Sequence, residues 1–438
     1  MNMMKKLLRA LGLLALVVAF LVVWVMLPWQ GALALAAALA LWMALTRAGR
    51  QAASVTWVGV ATLRQRLGAS SVVVVGIAGV VGVLVALLAM AEGYRHTVNS
   101  AGREDVAIVL RGGSSAELMS VLSRDEILAI ERAPEIARDA EGRPLASAEL
   151  VVSANVPRRD GEDGSVTLRG VGEMAWAVRP EVRLVDGRRF ETGRRELVVG
   201  RGAQRQFQGL EPGNEVQLGN ERWTVVGVFE SGDATESEMW ADAEVVGATY
   251  RRGSSRASLY AKLTSAEAMN AFKATLAADP RLTVDADTTL GYFASQSRTL
   301  TTVLRVVGIV VGSIMAIGAV FGALNTMFAT VASRAREIAT LRAIGFSGLP
   351  VVVAVMLETM LLALLGGLAG GLIAWLLFNG YTASTLAGGV ASLSFEFRVS
   401  PQLLWEGLKW ALAIGFIGGL FPAVRAATLP VTDALRAM

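Results

Sequence analysis

A membrane α-helical bundle carrying an inserted extracytoplasmic α+β domain is the fold class this sequence predicts, on three observations. Only 18% of its 438 residues are charged and 53% are hydrophobic, whereas soluble domains carry roughly 25% charge. The charge is segregated: residues 1–98 and 299–438 are apolar with short basic punctuation, and residues 99–298 have the composition of a soluble domain. Apolar runs approaching the roughly 20 residues needed to span a bilayer occur in the two outer parts.

The bundle divides into an N-terminal apolar hairpin and four core helices. Candidate spans are Leu7–Leu27, Gly31–Leu45, Val72–Ala91, Leu300–Ala332, Leu349–Phe378 and Leu403–Val424. The first two, separated by Pro28, Trp29 and Gln30, form the hairpin within residues 1–50; the second is short and alanine-rich, so partial spanning is an alternative. A cleaved signal peptide is another reading of the first run, with Ala32-Leu33-Ala34 as the cleavage-like triplet. Against it, the run exceeds a typical apolar signal core and a second run follows at once. Residues 51–69 read as a surface helix on the cytoplasmic side. The core helices then fall at 70–92, 299–332, 348–378 and 403–438, the last including a tail. At about 1.5 Å per residue, Leu349–Phe378 outreaches a hydrocarbon layer of roughly 30 Å and must tilt or project.

Orientation follows from the basic residues of the short loops. Lys5, Lys6 and Arg9 precede the first run; Arg47, Arg50, Arg64 and Arg66 precede the third; Arg334, Arg336 and Arg342 separate the fourth from the fifth; Arg425 and Arg436 follow the last. The positive-inside rule puts all four groups in the cytoplasm, so residues 93–298 and the 379–402 loop face outward. The net charge of +4 therefore reports topology, not nucleic-acid binding.

Within the insertion, Val106–Leu110, Glu149–Asn155, Val166–Val171, Glu196–Val199 and Leu259–Leu263 read as strands, and Val284 opens another. Glu215–Leu218 and Trp223–Phe229 flank Gly219-Asn220, a hairpin turn. Ser123 with Glu126 is a capping box for a helix to Ile130, and Thr264 with Glu267 for one to Leu276. Thr289–Thr302 is helical and runs into the next span. The result is α+β in about two subdomains.

Catalytic chemistry has few footholds. The chain has no cysteine and a single histidine, His96, which excludes disulfides, thiolate sites and any motif needing two histidines. No G-x-S-x-G occurs. No catalytic, cofactor or metal residues are assigned. The acidic stretch Glu230, Asp233, Glu236, Glu238 lacks calcium-loop spacing and reads as a solvated loop, as do Arg158, Arg159, Asp160, Glu162 and Asp163.

The stretch SRAREIATLRAIGFS, Ser333–Ser347, stands out between two apolar runs. Its four charges would cost on the order of 10 kcal/mol inside the bilayer, so it lies in water or at the interface. It is a good helix former. Ile338, Leu341 and Ile344 make one apolar stripe, with Arg336, Ala339 and Ala343 opposite, Arg342 flanking and Glu337 beside it. Gly345 ends the helix and Ser347 caps the next. The helix either lies on lipid headgroups or docks in a groove of another protein, and physics alone does not separate the two.

This stretch, followed by LETMLLALLGGLAGGLIAW, resembles the permease module of the MacB/FtsX family of ABC transporters, the type VII or mechanotransmission class. GGLFPAVRAATLPVTDALR, Gly418–Arg436, is similar to that family's closing signature, and VVGVLVALLAMAEGY, Val80–Tyr94, to its first span. FETGRRELVVGRGAQRQF and LEPGNEVQLGNERWTVVGVFES resemble its extracytoplasmic domain. The resemblance covers nearly all of residues 57–438.

The resemblance implies a four-span core, to which residues 1–50 are an addition, and a coupling helix at 333–347. Its ATPase-coupling residues would be Arg334, Arg336, Glu337, Ile338, Leu341, Arg342, Ile344 and Gly345. It implies as partners a cytoplasmic ABC ATPase dimer holding ATP and Mg, since these residues contain no G-x-x-x-x-G-K-[ST]. A second permease copy or homologous permease would complete the core. A periplasmic adaptor and outer-membrane channel would serve efflux. The chain would sit in the bacterial inner membrane, non-catalytic, passing ATPase motion to its periplasmic domain. Regulation of a periplasmic or cell-wall enzyme, without transport, and lipoprotein extraction are the alternatives. Gly366, Gly367, Gly370 and Gly371 have the small-xxx-small spacing of close helix packing. Glu358, about nine residues into its span, is an intramembrane carboxylate and a functional candidate with no assigned partner. Pro422 permits a bend in the last span.

Overall fold

The computed structural model describes residues 23–24, 26–62, 67–159, 161–387 and 391–428. Most of the run Leu7–Leu27, and the basic residues Lys5, Lys6, Arg9, Arg64, Arg66 and Arg436, lie outside the described residues. The chain divides into two compact units, one of Met1–Met90, Leu304–Asn379 and Arg398–Met438, the other of Ala91–Val303 with Gly380–Phe397.

The first unit opens with helix α1 (Trp29–Leu45), no residue of which is buried. It meets α2 (Arg47–Thr62) at a bend of 104°. The Thr46 hydroxyl accepts the Gly49 amide at 2.9 Å, which caps α2 four residues earlier than the expected start at 51. Ala52, Val55 and Gly59 form the buried face of α2, at a helical i, i+3, i+7 spacing, while Trp57 is 76% exposed. Helix α3 (Leu67–Ser100) follows.

The second unit is built on one ten-stranded sheet of β1 (Val106–Arg111), β2 (Ala146–Pro157), β3 (Asp163–Val171), β4 (Arg183–Gly187), β5 (Glu196–Gly200), β6 (Glu215–Leu218), β7 (Glu221–Glu230), β8 (Glu238–Asp242), β9 (Ser258–Lys262) and β10 (Val284–Thr288). Its order is β10-β1-β9-β2-β3-β8-β5-β7-β4, with β6 on β7. Strand β2 is the seam: Ala146–Glu149 pair with β9, and Leu150–Pro157 pair with β3. Two cores result. On one side α4 (Arg124–Ile130) and α8 (Met269–Ala278) bury Ile127, Ile130, Phe272 and Leu276 against β1 and β9. On the other, Phe207, Trp223 and Val246 pack against β2, β3 and β5, beside α5 (Ala175–Val178), α6 (Arg201–Gln206) and α7 (Ala243–Thr249).

The local signals read from sequence fare unevenly. Both halves of the Ser123–Glu126 capping box form, and Gly219 adopts the positive φ of a hairpin turn, +60°. The expected box at Thr264 and Glu267 does not form, because a 3₁₀ turn, Ala266–Ala268, precedes α8. The acidic stretch is not a solvated loop. Asp233 is buried and its carboxylate accepts the Thr235 amide at 2.8 Å, Glu236 accepts the amides of Ser231 and Gly232, and Glu238 opens β8. Arg158 and Arg159 flank the β2–β3 turn, where Arg159 pairs with Glu211 at 2.6 Å.

The chain returns to the first unit through α9 (Thr289–Ser333), then α10 (Ala335–Ala343), α11 (Gly348–Phe378) and α12 (Pro401–Thr428). Among the described residues, α3, α9, α11 and α12 are each long and apolar enough to cross a membrane, which with the inserted sheet domain is the fold class expected. The segment 379–402, expected as a plain loop, contains a hairpin of β11 (Thr382–Ala387) and β12 (Ala391–Glu396) that belongs to the second unit. There the Ser394 amide donates to Ser237 Oγ at 3.0 Å, Gln206 Nε2 donates to Ser394 Oγ, and buried Phe395 meets Tyr94 edge-on at 5.5 Å.

Candidate functional site

Helix α10 follows α9 after a single non-helical residue, Arg334, whose carbonyl accepts the Ile338 amide at 3.0 Å. Gly345, at φ +101°, stops it. The amides of Gly345 and Phe346 turn back onto the carbonyls of Arg342 and Leu341, a helix stop of the kind glycine favours. Ser347 stands at the N-cap of α11 but its side chain makes no capping bond, contrary to expectation.

The expected stripe of Ile338, Leu341 and Ile344 does not share one environment. Ile338 is buried with Met327, Val331, Val351, Val355, Ala423 and Ala426, so it anchors α10 to the bundle end and is not available to a partner. Ala339, expected on the opposite face, is buried too. Ile344 lies one residue beyond the helix and is 70% exposed. Leu341 sits between the two faces. The inward face is therefore centred on Arg334, Ile338 and Ala339, about 70° from the predicted stripe on a helix of 3.6 residues per turn. The wheel could not separate packing on the bundle from exposure to a partner, because both use apolar residues.

Outward, Arg336, Glu337 and Thr340 are exposed. With Leu341 and Phe346 they line a groove of about 820 Å³ whose other wall is Ser54, Val55 and Val58 of α2. This groove combines a leucine and opposite charges of one short helix with a phenylalanine from the turn that follows it, the chemistry of a protein-docking surface.

Glu358 is 4% exposed on α11. Its Oε2 accepts Arg334 Nη1 at 2.9 Å, and Arg334 Nε reaches Glu337 at 3.1 Å. The partner missing from the sequence reading is thus Arg334, which turns inward as Arg336 turns out. Of the expected packing glycines, a Cβ at Gly366 would lie 2.9 Å from both the Ile77 side chain and the Val74 carbonyl oxygen, and one at Gly370 only 2.4 Å from the Ala78 oxygen. Gly367 and Gly371 face Ala411 and Leu404 of α12. The quartet therefore packs α11 against α3 on one side and α12 on the other. Pro422 is buried within α12, which continues to Thr428.

A second site escaped sequence analysis. At the β2 seam, five buried or nearly buried charges meet. Arg169 on β3 binds Glu117 (2.8 and 3.1 Å), Glu149 (3.0 Å) and Glu238 (2.7 Å). Arg179 makes a two-pronged contact with Glu149 at 2.6 and 2.8 Å and lies 4.0 Å from the Tyr260 ring centre. Ser258 donates to Glu117 at 2.6 Å. Burial alone would raise the Glu117 carboxyl, but the Arg169 guanidinium outweighs it and holds Glu117 below the ordinary value. Burial works against the charge on Arg169 too, yet Glu117 and Glu238 keep it well above its usual range. Burial, then the Glu117 charge, drive the Tyr260 hydroxyl far up, so it stays neutral. The sequence signal was slight: one arginine inside an apolar strand, with partners up to about 70 residues away.

The MacB-like periplasmic core domain profile matches residues 70–279, and the FtsX-like permease C-terminal profile matches residues 309–431. The macrolide export ATP-binding/permease protein MacB 1/2 of Paracoccus denitrificans is 28% identical over 391 residues, covering 83% of this chain and 55% of that protein. The uncharacterized ABC transporter permease YknZ of Bacillus subtilis is 29% identical over 131 residues, covering 30% of this chain and 31% of the relative. The chain thus matches between 31% and 55% of the length of these curated relatives. Among solved structures, the extracellular domain of the noncanonic ABC-type transporter YknZ from Gram-positive bacteria aligns at TM-score 0.33 and 17% identity, over 42% of this chain and 100% of that one. The periplasmic region of MacB from Actinobacillus actinomycetemcomitans aligns at 0.33 and 14%, over 42% and 89%.

Proposed function

Because the chain belongs to the MacB/FtsX-like family of ABC transporter permeases, we propose that it is a permease subunit driven by a separate cytoplasmic ATPase that binds ATP and Mg. The ATPase docks on the exposed edge of α10, and its closure on ATP moves α10, the membrane helices and, through them, the outer domain. A second permease, identical or homologous, completes the membrane core in the bacterial inner membrane. The outer domain works in the periplasm with an adaptor and an outer-membrane channel, in the direction of export. The observation that carries this reading is the groove of Leu341, Phe346, Arg336 and Glu337 against α2.

Replacing Leu341 by aspartate tests it. Leu341 is only partly buried in the chain itself, so the variant inserts and folds. Truncating such an apolar anchor costs about 2 kcal/mol of docking free energy, and a buried carboxylate adds to that. Co-purification with the ATPase and stimulation of ATP hydrolysis both fall sharply. If both stay at wild-type level, the docking assignment is wrong.

A further inference from the structure

We propose that Glu358 is a positioning residue: through Arg334 it sets the direction in which the coupling helix α10 leaves the bundle, and Gly59 of α2 closes the pair off. The proposal deepens the reading of α10 as the ATPase-docking element and rests on it for its purpose, not for its geometry. Three helices converge here. Arg334 occupies the single non-helical residue between α9 and α10, at φ −99° and ψ 9°, where the regular helix is interrupted. Its guanidinium turns inward to Glu358 of α11 at 2.9 Å, and both side chains are buried. Over them lies Gly59, where a Cβ would stand 3.0 Å from Glu358 Oε2 and 3.3 Å from Arg334 Nη1. A Cβ there presses on the pair, and the two further methyl groups of a valine push it apart.

A fixed, dry ion pair at a hinge converts a flexible joint into a stiff one. Buried pairs are often no more stabilising than apolar residues of the same size, and their best-attested use is to select one arrangement over others. Here the arrangement selected is the one in which Ile338 faces the bundle while Arg336, Glu337 and Leu341 face the groove. A force applied to the exposed edge of α10 then reaches α11 at Glu358 instead of being absorbed by rotation about residue 334.

The chain has no cysteine, so pairs of introduced cysteines can be spin-labelled uniquely in the full-length protein in nanodiscs. One pair, Ala53→Cys with Ala343→Cys, spans α2 and α10; a control pair, Leu365→Cys with Phe421→Cys, spans α11 and α12. The expected wild-type distribution for the first pair is narrow. Glu358→Gln adds a second population displaced by on the order of one helical turn, about 5 Å. Gly59→Val does the same without changing any charge, Glu358→Asp keeps the distribution narrow, and the control pair is unmoved in all three. An unchanged first pair in Glu358→Gln overturns the proposal. Equal broadening of the control pair also overturns it, since the residue then merely holds the bundle together. Leu341→Asp leaves the α2–α10 distance narrow, so failure of ATPase docking is read separately from failure of positioning.

Discussion

Arg169→Met destabilises the outer domain by about 3–5 kcal/mol, the cost of leaving buried charge without its partner. Three carboxylates, Glu117, Glu149 and Glu238, converge on this one guanidinium, and Arg179 reaches only Glu149 among them. Methionine replaces the volume but not the charge. The pH dependence gives the effect a signature. In the native domain Glu117 titrates below its unfolded value because Arg169 overcomes its burial. Its contribution is therefore complete above the ordinary glutamate range, about pH 4.5, and disappears as pH falls through the folded value. Without Arg169, burial, the largest influence on Glu117, outweighs the Ser258 hydrogen bond and the Arg179 charge that remain and raises its carboxyl, so the folded state binds more protons than the unfolded one. The variant thus gains stability as pH drops from 7 towards 5, where the native domain does not. Urea titration of the full-length protein, followed by protease protection of residues 91–303 at both pH values, reads both effects. Equal midpoints for variant and native protein would show the cluster to be dispensable.

Gly370→Val lowers the stability of the membrane unit by about 3 kcal/mol, at the upper end of the usual cost of overpacking. A Cβ at this position would fall 2.4 Å from the Ala78 carbonyl oxygen and 3.0 Å from the Ala78 carbonyl carbon and Cα, all backbone atoms of α3. Backbone cannot rotate away as a side chain can, so α3 must retreat. The contact of Gly366 with Val74 and Ile77 one turn earlier then opens with it. Gly318→Ala is the comparison, because among the described residues nothing beyond its own helix lies within 4 Å of its Cβ position. Thermal unfolding in detergent separates the two: a large fall in midpoint for Gly370→Val and little change for Gly318→Ala. Similar midpoints would mean that the α3–α11 approach is looser than these distances imply.

The glycines show how far a sequence can be read. Their spacing announced a tight helix contact, and that is what they make. It could not name Ala78 or Ala411 as the other side, since spacing constrains one helix at a time. Glu358 illustrates the same limit. Its position within an apolar run marked it as unusual, but the pairing arginine was 24 residues away in a segment already explained by topology. For α10, amphipathicity located the helix and the glycine stop located its end. The face was displaced because Ile338 serves the bundle and only Leu341, Phe346 and the charges remain for the groove. The seam cluster was least legible. Its charges sit in strands or short turns otherwise typical of soluble domains, and only the strand order brings them together. The hairpin at 382–396 was missed because short, weakly alternating strands after a long apolar helix resemble a connecting loop.

That hairpin has a consequence for biosynthesis. The outer domain is discontinuous in the chain: β12 supplies Phe395 to a buried place beside Tyr94, roughly 300 residues earlier. When the ribosome has finished residue 303, the domain still lacks its last piece, which emerges only after α11 has been synthesised. A nascent chain arrested at that stage holds an unfilled apolar slot on the far side of the membrane, so maturation of the domain waits on insertion of the helices that follow it.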